Sequence, residues 1–323
     1  MAAENINGHH DLDWIELLAK SKATHEAGQK LGRISQKMQD GEWDNNLVTL
    51  KEIQNSLGEE KTGRMPLNEI EAMEVPVMKT GWEAYDEHLG GTPVAGLKIV
   101  SGAPGSGKTT WALDEAKYFA KTYKNKIVNF YSLEMVDGEI ALRAKEVGLK
   151  GKYTERININ CDPLTVDELF NDAAGTDDLG LIIIDFADIL LREDESDASM
   201  GKIYTTCFVE GKKLGVPVTL LAQYSYKYQG GIPRPYHIRY TAKAQILGWE
   251  VICLWNPHRS FYAEDQKALL NFPLKKDQAA AFIWKFRGGF REHPQDSPGA
   301  IIHQFKGRQG WSPFGKWRHV TNY

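Results

Sequence analysis

Residues 102–109 read Gly102-Ala-Pro-Gly-Ser-Gly-Lys-Thr109, which is a complete GxxxxGK[ST] motif. The apolar, β-like run Leu97–Gly102 leads into it, and a helical pattern follows from Lys108 to about Tyr123. In a strand–loop–helix of this kind, successive backbone N–H groups and the positive end of the helix surround phosphate oxygens. The motif therefore predicts a P-loop that binds a nucleoside triphosphate.

The residue types of this loop indicate how the phosphates are held. Glycines let the backbone curl closely, Lys108 places a charge at the β/γ bridge, and the Thr109 hydroxyl is expected to ligate Mg²⁺. We expect ATP as the default nucleotide, because no base-reading motif is visible in the sequence. The predicted nucleotide contacts are Gly102, Ala103, Pro104, Gly105, Ser106, Gly107, Lys108, Thr109 and Thr110.

Two carboxylates at strand ends are candidates for binding the metal ion and for activating the attacking water. Asp185 follows the apolar run 181–184 and is predicted to bind the Mg²⁺ ion, as a Walker B aspartate does. Glu134 ends a second strand-like run and has the chemistry to orient or deprotonate an attacking water. The structural alternatives are a turn-capping role for Asp185 and a helix N-terminal role for Glu134.

Apolar β-rich runs alternate with helical patterns from residue 76 to residue 323, which is typical of an α/β domain with a mostly parallel, buried sheet flanked by helices. Residues 1–58 are predicted to form a short helical region. Residues 59–75 are predicted to form a linker, because Gly, Pro and dense charge concentrate there. The predicted strands are residues 97–102, 127–133, 181–185, 216–222, 251–255, 281–286 and 301–305.

The overall composition argues at first against a nucleic-acid partner. The chain has 39 basic and 43 acidic residues, a net charge of −4, but residues 1–100 hold 17 of the acids and only 10 of the bases. Its three cysteines lie far apart, which excludes a disulfide framework and a zinc knuckle and favours a reducing compartment. No apolar stretch of about 18 residues could span a bilayer. We therefore expect a soluble, cytoplasmic protein without a membrane partner.

A basic segment without acids follows the strand that ends at Gln223. Residues 211–249 contain six Lys or Arg, five tyrosines and no Asp or Glu, and residues 225–235 are too rich in Gly and Pro for a helix. Such a loop favours binding of single-stranded DNA, with basic groups on phosphates and aromatic rings on bases. The alternative is a loop whose tyrosines pack on its own domain. The candidate DNA contacts are Tyr226, Lys227, Tyr228, Arg234 and Arg239, with Lys202 in a preceding segment.

Together these elements resemble the RecA-like P-loop ATPases, and among them the hexameric replicative helicases of the DnaB type. The resemblance covers about residues 76–320. It is carried by KTGWEAYDEHLGG at 79–91, the P-loop, YSLEM at 131–135, Ile184-Asp185, GVPVTLLAQ at 215–223 and KFRGG at 285–289.

The resemblance implies roles for residues that spacing alone leaves open. Glu134 would be the catalytic base, and Gln223 would sense the γ-phosphate and couple it to the DNA loop. Lys285 and Arg287 would act on the nucleotide of a neighbouring subunit, whereas without the resemblance they are two basic residues at a strand end. The predicted catalytic residues are thus Glu134, Lys108, Gln223, Arg287 and Lys285.

We therefore expect an ATP- and Mg²⁺-dependent DNA helicase of replication, with 5′-to-3′ movement implied by the resemblance. The expected partners are single-stranded DNA, further copies of the chain in a hexameric ring, and a primase or loader. The 75 residues before the ATPase domain are fewer than the N-terminal domain of the family, which would suit a phage or plasmid protein in a bacterial or phage-infected cytoplasm. Two alternatives stay open: a filament-forming RecA-like recombinase, and an ATP-gated loader or interaction ATPase.

Overall fold

The computed structural model describes residues 77–190, 197–239, 241–287 and 299–320. The strands in these residues are β1 (Val77–Met78), β2 (Thr92–Pro93), β3 (Leu97–Gly102), β4 (Ile127–Ser132), β5 (Ile157–Asn160), β6 (Leu179–Asp185), β7 (Val218–Gln223), β8 (Glu250–Trp255), β9 (Gln278–Phe286), β10 (Gly299–Phe305) and β11 (Trp311–His319). The helices are α1 (Glu83–Leu89), α2 (Lys108–Thr122), α3 (Asp137–Glu146), α4 (Val166–Ala174), α5 (Asp197–Leu214), α6 (Thr241–Leu247) and α7 (Ala263–Asn271).

Nine strands form one sheet in the order β11-β10-β9-β8-β3-β7-β6-β4-β5. The strands from β8 to β5 run parallel to one another, whereas β9, β10 and β11 continue the sheet as an antiparallel edge. The α/β fold with a mostly parallel central sheet, predicted from the sequence, is confirmed. Because the carboxyl ends of parallel strands meet at one edge, the loops after β3, β7, β6 and β4 lie on the same side.

All seven predicted strand runs overlap strands of this sheet, and β3 has the predicted bounds. The sequence pattern does not predict the edge strand β5. Its four residues, ININ, are half-buried or exposed, so no continuous apolar run marks it. By contrast, residues 180–185 of β6 are all buried, as expected for a central strand covered on both faces.

The main hydrophobic core lies between the sheet and α2, where Trp111 and Phe119 pack with sheet residues such as Phe130 and Ile183. The hairpin of β10 and β11 closes this core beside the P-loop. Trp311 is 2% exposed, and its indole N–H donates a hydrogen bond to the carbonyl oxygen of Gly107, 3.2 Å away. Trp311 therefore belongs to the core that this hairpin covers.

Apart from residues 213–215, the described residues fall into one compact unit. The predicted helical region of residues 1–58 and the linker of residues 59–75 lie outside the described residues, so these boundaries stay predictions. In the part of the chain that the structure describes, no helix has both the length and the apolar character needed to cross a bilayer.

Candidate functional site

The P-loop joins β3 to α2, and its glycines are required by local geometry. Gly107, the residue before α2, has φ +98°, in the left-handed region where side chains are strained. A Cβ added at Gly102 would lie 2.2 Å from the hydroxyl oxygen of Ser106. At these two positions the backbone without side chains allows the loop to curl tightly in front of a helix N-terminus, the arrangement that binds phosphate.

Lys108 lies in the first turn of α2 and faces the loop. Its ammonium group donates hydrogen bonds to two carbonyl oxygens of the P-loop, at 2.9 and 3.2 Å. Burial lowers the pKa of Lys108, while the negative charges of Asp185, Glu134 and Asp188 oppose that shift. The predicted phosphate-binding lysine and the two predicted carboxylates are thus brought within electrostatic reach of one another.

Asp185 is buried at the end of β6, next to the start of α2. Burial raises the pKa of its carboxyl group to about 6, against the opposing effects of a hydrogen bond from the Thr109 hydroxyl and the charge of Lys108. The Oδ2 atom of Asp185 is buried and has no hydrogen-bond partner among the described residues. Carboxylate and hydroxyl oxygens are the ligands that Mg²⁺ prefers, so Thr109 and Asp185 fit this ion.

Gln223 and Glu134 complete the same edge of the sheet. Gln223 ends β7 and pairs in register with Gly102, while Ser132 at the end of β4 pairs with Asp185. Glu134 comes two residues after β4 and is exposed. The strand order β3-β7-β6-β4 therefore lines up the P-loop, the predicted sensor, the predicted metal ligand and the predicted base.

Lys285 and Arg287 lie at the end of β9 and bind the carboxyl end of α6. The Lys285 ammonium donates to the carbonyl oxygens of Gln245 and Ile246, and the Arg287 guanidinium donates to that of Ile246. Cations in the last turn of a helix interact favourably with its free carbonyl groups. Within one chain, these contacts engage both side chains on α6.

The loop after Gln223 is closed on the body of its own domain. The Tyr224 hydroxyl donates to the carbonyl oxygen of Leu254, 3.0 Å away, and the Tyr228 hydroxyl donates to that of Gly231 at 2.6 Å. Tyr228 is only 3% exposed, and its ring packs against Tyr224 at a centroid distance of 4.7 Å. Tyr228 therefore does not offer a free ring face, and we do not retain it as a DNA-stacking residue.

Other candidate DNA contacts are more open. Tyr226 is 84% exposed and Lys227 is exposed beside it, with its ammonium group 5.9 Å from the Tyr226 ring centroid. Arg234 is half-buried, with its guanidinium 5.8 Å from the ring centroid of Trp284. Tyr226, Lys227 and Arg234 thus form the candidate DNA-binding part of the loop.

The two remaining predicted DNA contacts, Arg239 and Lys202, lie outside this exposed part of the loop. Arg239 forms an ion pair with Asp188 at 3.2 Å, so its charge is engaged within its own chain. Lys202 is exposed on α5. The residue before it, Gly201, lies close to the Lys243 side chain of α6, because a Cβ added at Gly201 would be 3.3 Å from that side chain. Residues 191–196, which precede Lys202, and Tyr240 lie outside the described residues.

Comparison with known proteins agrees with this geometry. Residues 77–162, which include the P-loop and Glu134, match the family model of the DnaB-like helicase C terminal domain. The predicted resemblance to DnaB-type helicases is confirmed. No curated protein matches the chain.

Two solved structures extend the DnaB-like fold to most of the chain. One is of a DnaB-like replicative helicase and its interactions with primase; it is 16% identical over 90% of this chain and 76% of that one, with a TM-score of 0.57. The other is of an ATPase domain, 19% identical over 82% of this chain and 96% of that one, with a TM-score of 0.56. At these identities the likeness establishes the fold alone, an α/β domain built on a mostly parallel sheet.

Beside the P-loop, two residues missed by the sequence analysis pack together: Arg259, which is exposed, and Phe305, which is only 7% exposed. A Cβ added at Gly107 would lie 2.9 Å from the ring of Phe305, at the end of β10. The exposed guanidinium of Arg259 lies 5.3 Å from the centroid of that ring. The exposed guanidinium of Arg259 is a planar group of the kind that packs against nucleobases. No sequence motif marks Arg259 and Phe305, because they are distant in the chain.

Arg143 of α3 is a second addition to the site. Its positive charge lowers the pKa of Asp185, so the guanidinium lies within electrostatic reach of the predicted metal ligand. Arg143 is nine residues after Glu134, on the helix that follows it. The helical pattern alone presents it as one more surface charge.

Proposed function

We propose that this protein is a replicative DNA helicase that hydrolyses ATP and moves along single-stranded DNA as a ring of identical subunits. The observation that supports this most is the continuity between two sites. Gln223 lies beside Gly102 of the P-loop, and the acid-free loop begins with the next residue. A change at the γ-phosphate is therefore transmitted to the loop through the main chain itself.

In the proposed reaction, the P-loop N–H groups and Lys108 hold the β- and γ-phosphates of ATP. The Glu134 carboxylate takes a proton from water as the water oxygen attacks the γ-phosphorus. The bond between the γ-phosphorus and the bridging oxygen breaks, and ADP and inorganic phosphate are released. Thr109 and Asp185 would hold a Mg²⁺ ion, which neutralises negative charge on the phosphates when bound.

Lys285 and Arg287 are proposed to complete the site of the neighbouring subunit. A guanidinium group stabilises the charge on the transferred phosphoryl group, which makes hydrolysis depend on assembly. Both side chains bind α6 rather than the P-loop of their own chain, and this supports a target outside their own subunit. A monomer is accordingly expected to hydrolyse ATP slowly.

For DNA, Lys227 and Arg234 are proposed to contact phosphates, and Tyr226 is proposed to stack on a base. A ring of six chains would enclose the strand with these loops on its inner face. The direction of movement, 5′ to 3′, and a primase or loader as further partners come from the family resemblance and stay predictions.

Unwinding of forked DNA tests this function. We expect ATP-dependent strand separation only when the fork carries a 5′ single-stranded tail, and none with Lys108→Ala. Negative-stain images with oligo-dT and a non-hydrolysable ATP analogue should show closed hexameric rings. Open filaments with strand exchange would instead identify a recombinase, and ATP hydrolysis that ignores single-stranded DNA would identify a loader or interaction ATPase.

A further inference from the structure

The main chain of Gln223 interacts with a charged residue on each side. The backbone N–H of Arg239 donates a hydrogen bond to the Gln223 carbonyl oxygen, 3.0 Å away. The backbone N–H of Gln223 in turn interacts with the carboxylate of Asp188. The residue proposed to sense the γ-phosphate is therefore held between Asp188 and Arg239.

Asp188 and Arg239 also bind each other. Nη1 of Arg239 lies 3.2 Å from Oδ1 of Asp188, although the two residues are 51 positions apart in the chain. The Asp188 side chain is 9% exposed and that of Arg239 is 34% exposed. Partial shielding from water makes such a pair stronger than one on the open surface.

This ion pair joins the nucleotide site to the base of the DNA loop. Asp188 comes three residues after Asp185, in the short turn Ala187–Leu190, and its charge is felt by Lys108. At the base of the loop, the Ser225 N–H donates to the His237 carbonyl oxygen at 2.7 Å. Together with a bridge between residues 224 and 238, this contact pairs the two ends of the loop, so they are expected to move together.

We propose that Asp188 and Arg239 form a positioning pair that holds Gln223 and transmits the state of the nucleotide site to the DNA loop. The inference rests on the proposed helicase function and adds two residues to it. Arg239 then acts on DNA through the loop rather than by contacting phosphate, which replaces its role as predicted from the sequence. Asp188 then holds Gln223 and Arg239 from the side of the nucleotide site.

The test compares Asp188→Asn, Arg239→Gln and the double variant with the wild-type chain. Each single variant should lower the stimulation of ATP hydrolysis by oligo-dT about tenfold, since coupling between contacting charged residues is of this order. The double variant should lose little more than either single variant, and Arg239→Lys should restore part of the stimulation. Melting temperature and the Kd for a fluorescent ATP analogue, measured on the same samples, report on folding and on nucleotide binding.

DNA affinity, measured as a function of salt, separates positioning from direct contact. For Arg239→Gln the slope of log Kd against log salt should stay that of the wild type. Arg234→Gln should reduce this slope by about the amount expected for the loss of one phosphate contact. A reduced slope for Arg239→Gln, or additive losses in the double variant, would overturn the positioning pair and leave the helicase function standing. If the wild-type chain shows no stimulation by oligo-dT, the helicase function and the pair both fail.

Discussion

The Arg287 guanidinium donates a hydrogen bond to the main-chain carbonyl oxygen of Ile246. Ile246 lies in the last turn of α6, and Lys285 binds the same oxygen at 3.1 Å. Helix α6 begins two residues after Arg239, the residue that closes the DNA loop. The two basic side chains proposed to act on a neighbouring nucleotide are therefore positioned by the helix that follows the DNA loop.

Action in trans predicts a specific result for mixed subunits. Arg287→Ala alone should lower kcat for ATP about a thousandfold, because an arginine finger contributes at least this much. In a mixture with Glu134→Gln, some interfaces regain both an intact Glu134 and an intact Arg287, so activity should exceed that of either variant. Arg308→Ala, at an exposed surface ion pair, is the matched control and should keep wild-type activity. Lack of recovery on mixing would contradict action in trans.

ATP binding and ATP hydrolysis should depend on two different residues of this site, Lys108 and Glu134. Lys108→Ala removes the charge that holds the phosphates, so we expect loss of ATP binding in a fluorescence titration. Glu134→Gln should bind ATP with nearly wild-type Kd and hydrolyse it about a hundredfold or more slowly, since only proton transfer is removed. The exposed Glu139 in the first turn of α3 gives the control Glu139→Gln. Equal losses of hydrolysis in both glutamate variants would argue against Glu134 as the base.

Local sequence patterns predict those parts of the site that depend on strand ends. The P-loop is read directly, because its strand, glycines and helix are contiguous. Asp185 and Gln223 are found because each follows an apolar run, and parallel strands bring such ends to one edge. The position of Glu134 in that row depends on the pairing of β4 with β6, which the sequence does not display.

The side-chain environment of the loop could not be read in the same way. Periodicity and composition present Tyr228 and Arg239 as an aromatic and a cation of a basic segment. The structure buries Tyr228 against its own domain and pairs Arg239 with Asp188, which lies in the turn after β6. Both outcomes result from long-range packing, and such contacts leave no short-range signal. The sequence does not reveal the contact between Arg259 and Phe305 for the same reason.

A role of Arg259 in nucleobase packing is testable by ligand choice. Arg259→Ala should weaken ATP binding five- to tenfold, roughly the value of one cation–π contact. Binding of inorganic triphosphate, which has no base, should be unchanged in the same titration. Arg259→Lys keeps the charge without the planar group, so its ATP affinity should lie between those of the wild type and Arg259→Ala. An equal loss for ATP and triphosphate would show that Arg259 serves the phosphates instead.

Two exposed residues of the DNA loop should contribute to DNA affinity in different ways, Lys227 through its charge and Tyr226 through stacking. Lys227→Ala should reduce the salt dependence of oligo-dT affinity by about one phosphate contact. Tyr226→Ala should weaken binding by about 1–3 kcal/mol and leave the salt slope unchanged, since stacking does not involve counterion release. Lys276→Ala, on the exposed turn before β9, is the control. Fluorescence anisotropy at several salt concentrations measures both quantities, and a salt slope that falls with Tyr226→Ala would contradict stacking.

His303 should make folding stability fall at acidic pH. It is fully buried on β10, its Nδ1 lies 2.9 Å from the carbonyl oxygen of Ser312, and its Nε2 has no partner among the described residues. Burial lowers its pKa from 6.5 to about 4, so the unfolded chain takes up the proton first as the pH falls. The stability that depends on neutral His303 is complete above pH 6.5 and is lost towards pH 4.

The size of this effect follows from the pKa difference, which corresponds to about 3 kcal/mol. Between pH 7 and pH 4, the wild-type chain should lose this much more free energy of unfolding than His303→Asn, which cannot be protonated. Urea titrations across this range measure the difference, and His319→Asn, at an exposed position of β11, serves as the control. Parallel stability curves for the wild type and His303→Asn would show that the buried imidazole does not govern the acid sensitivity of the hairpin behind the P-loop.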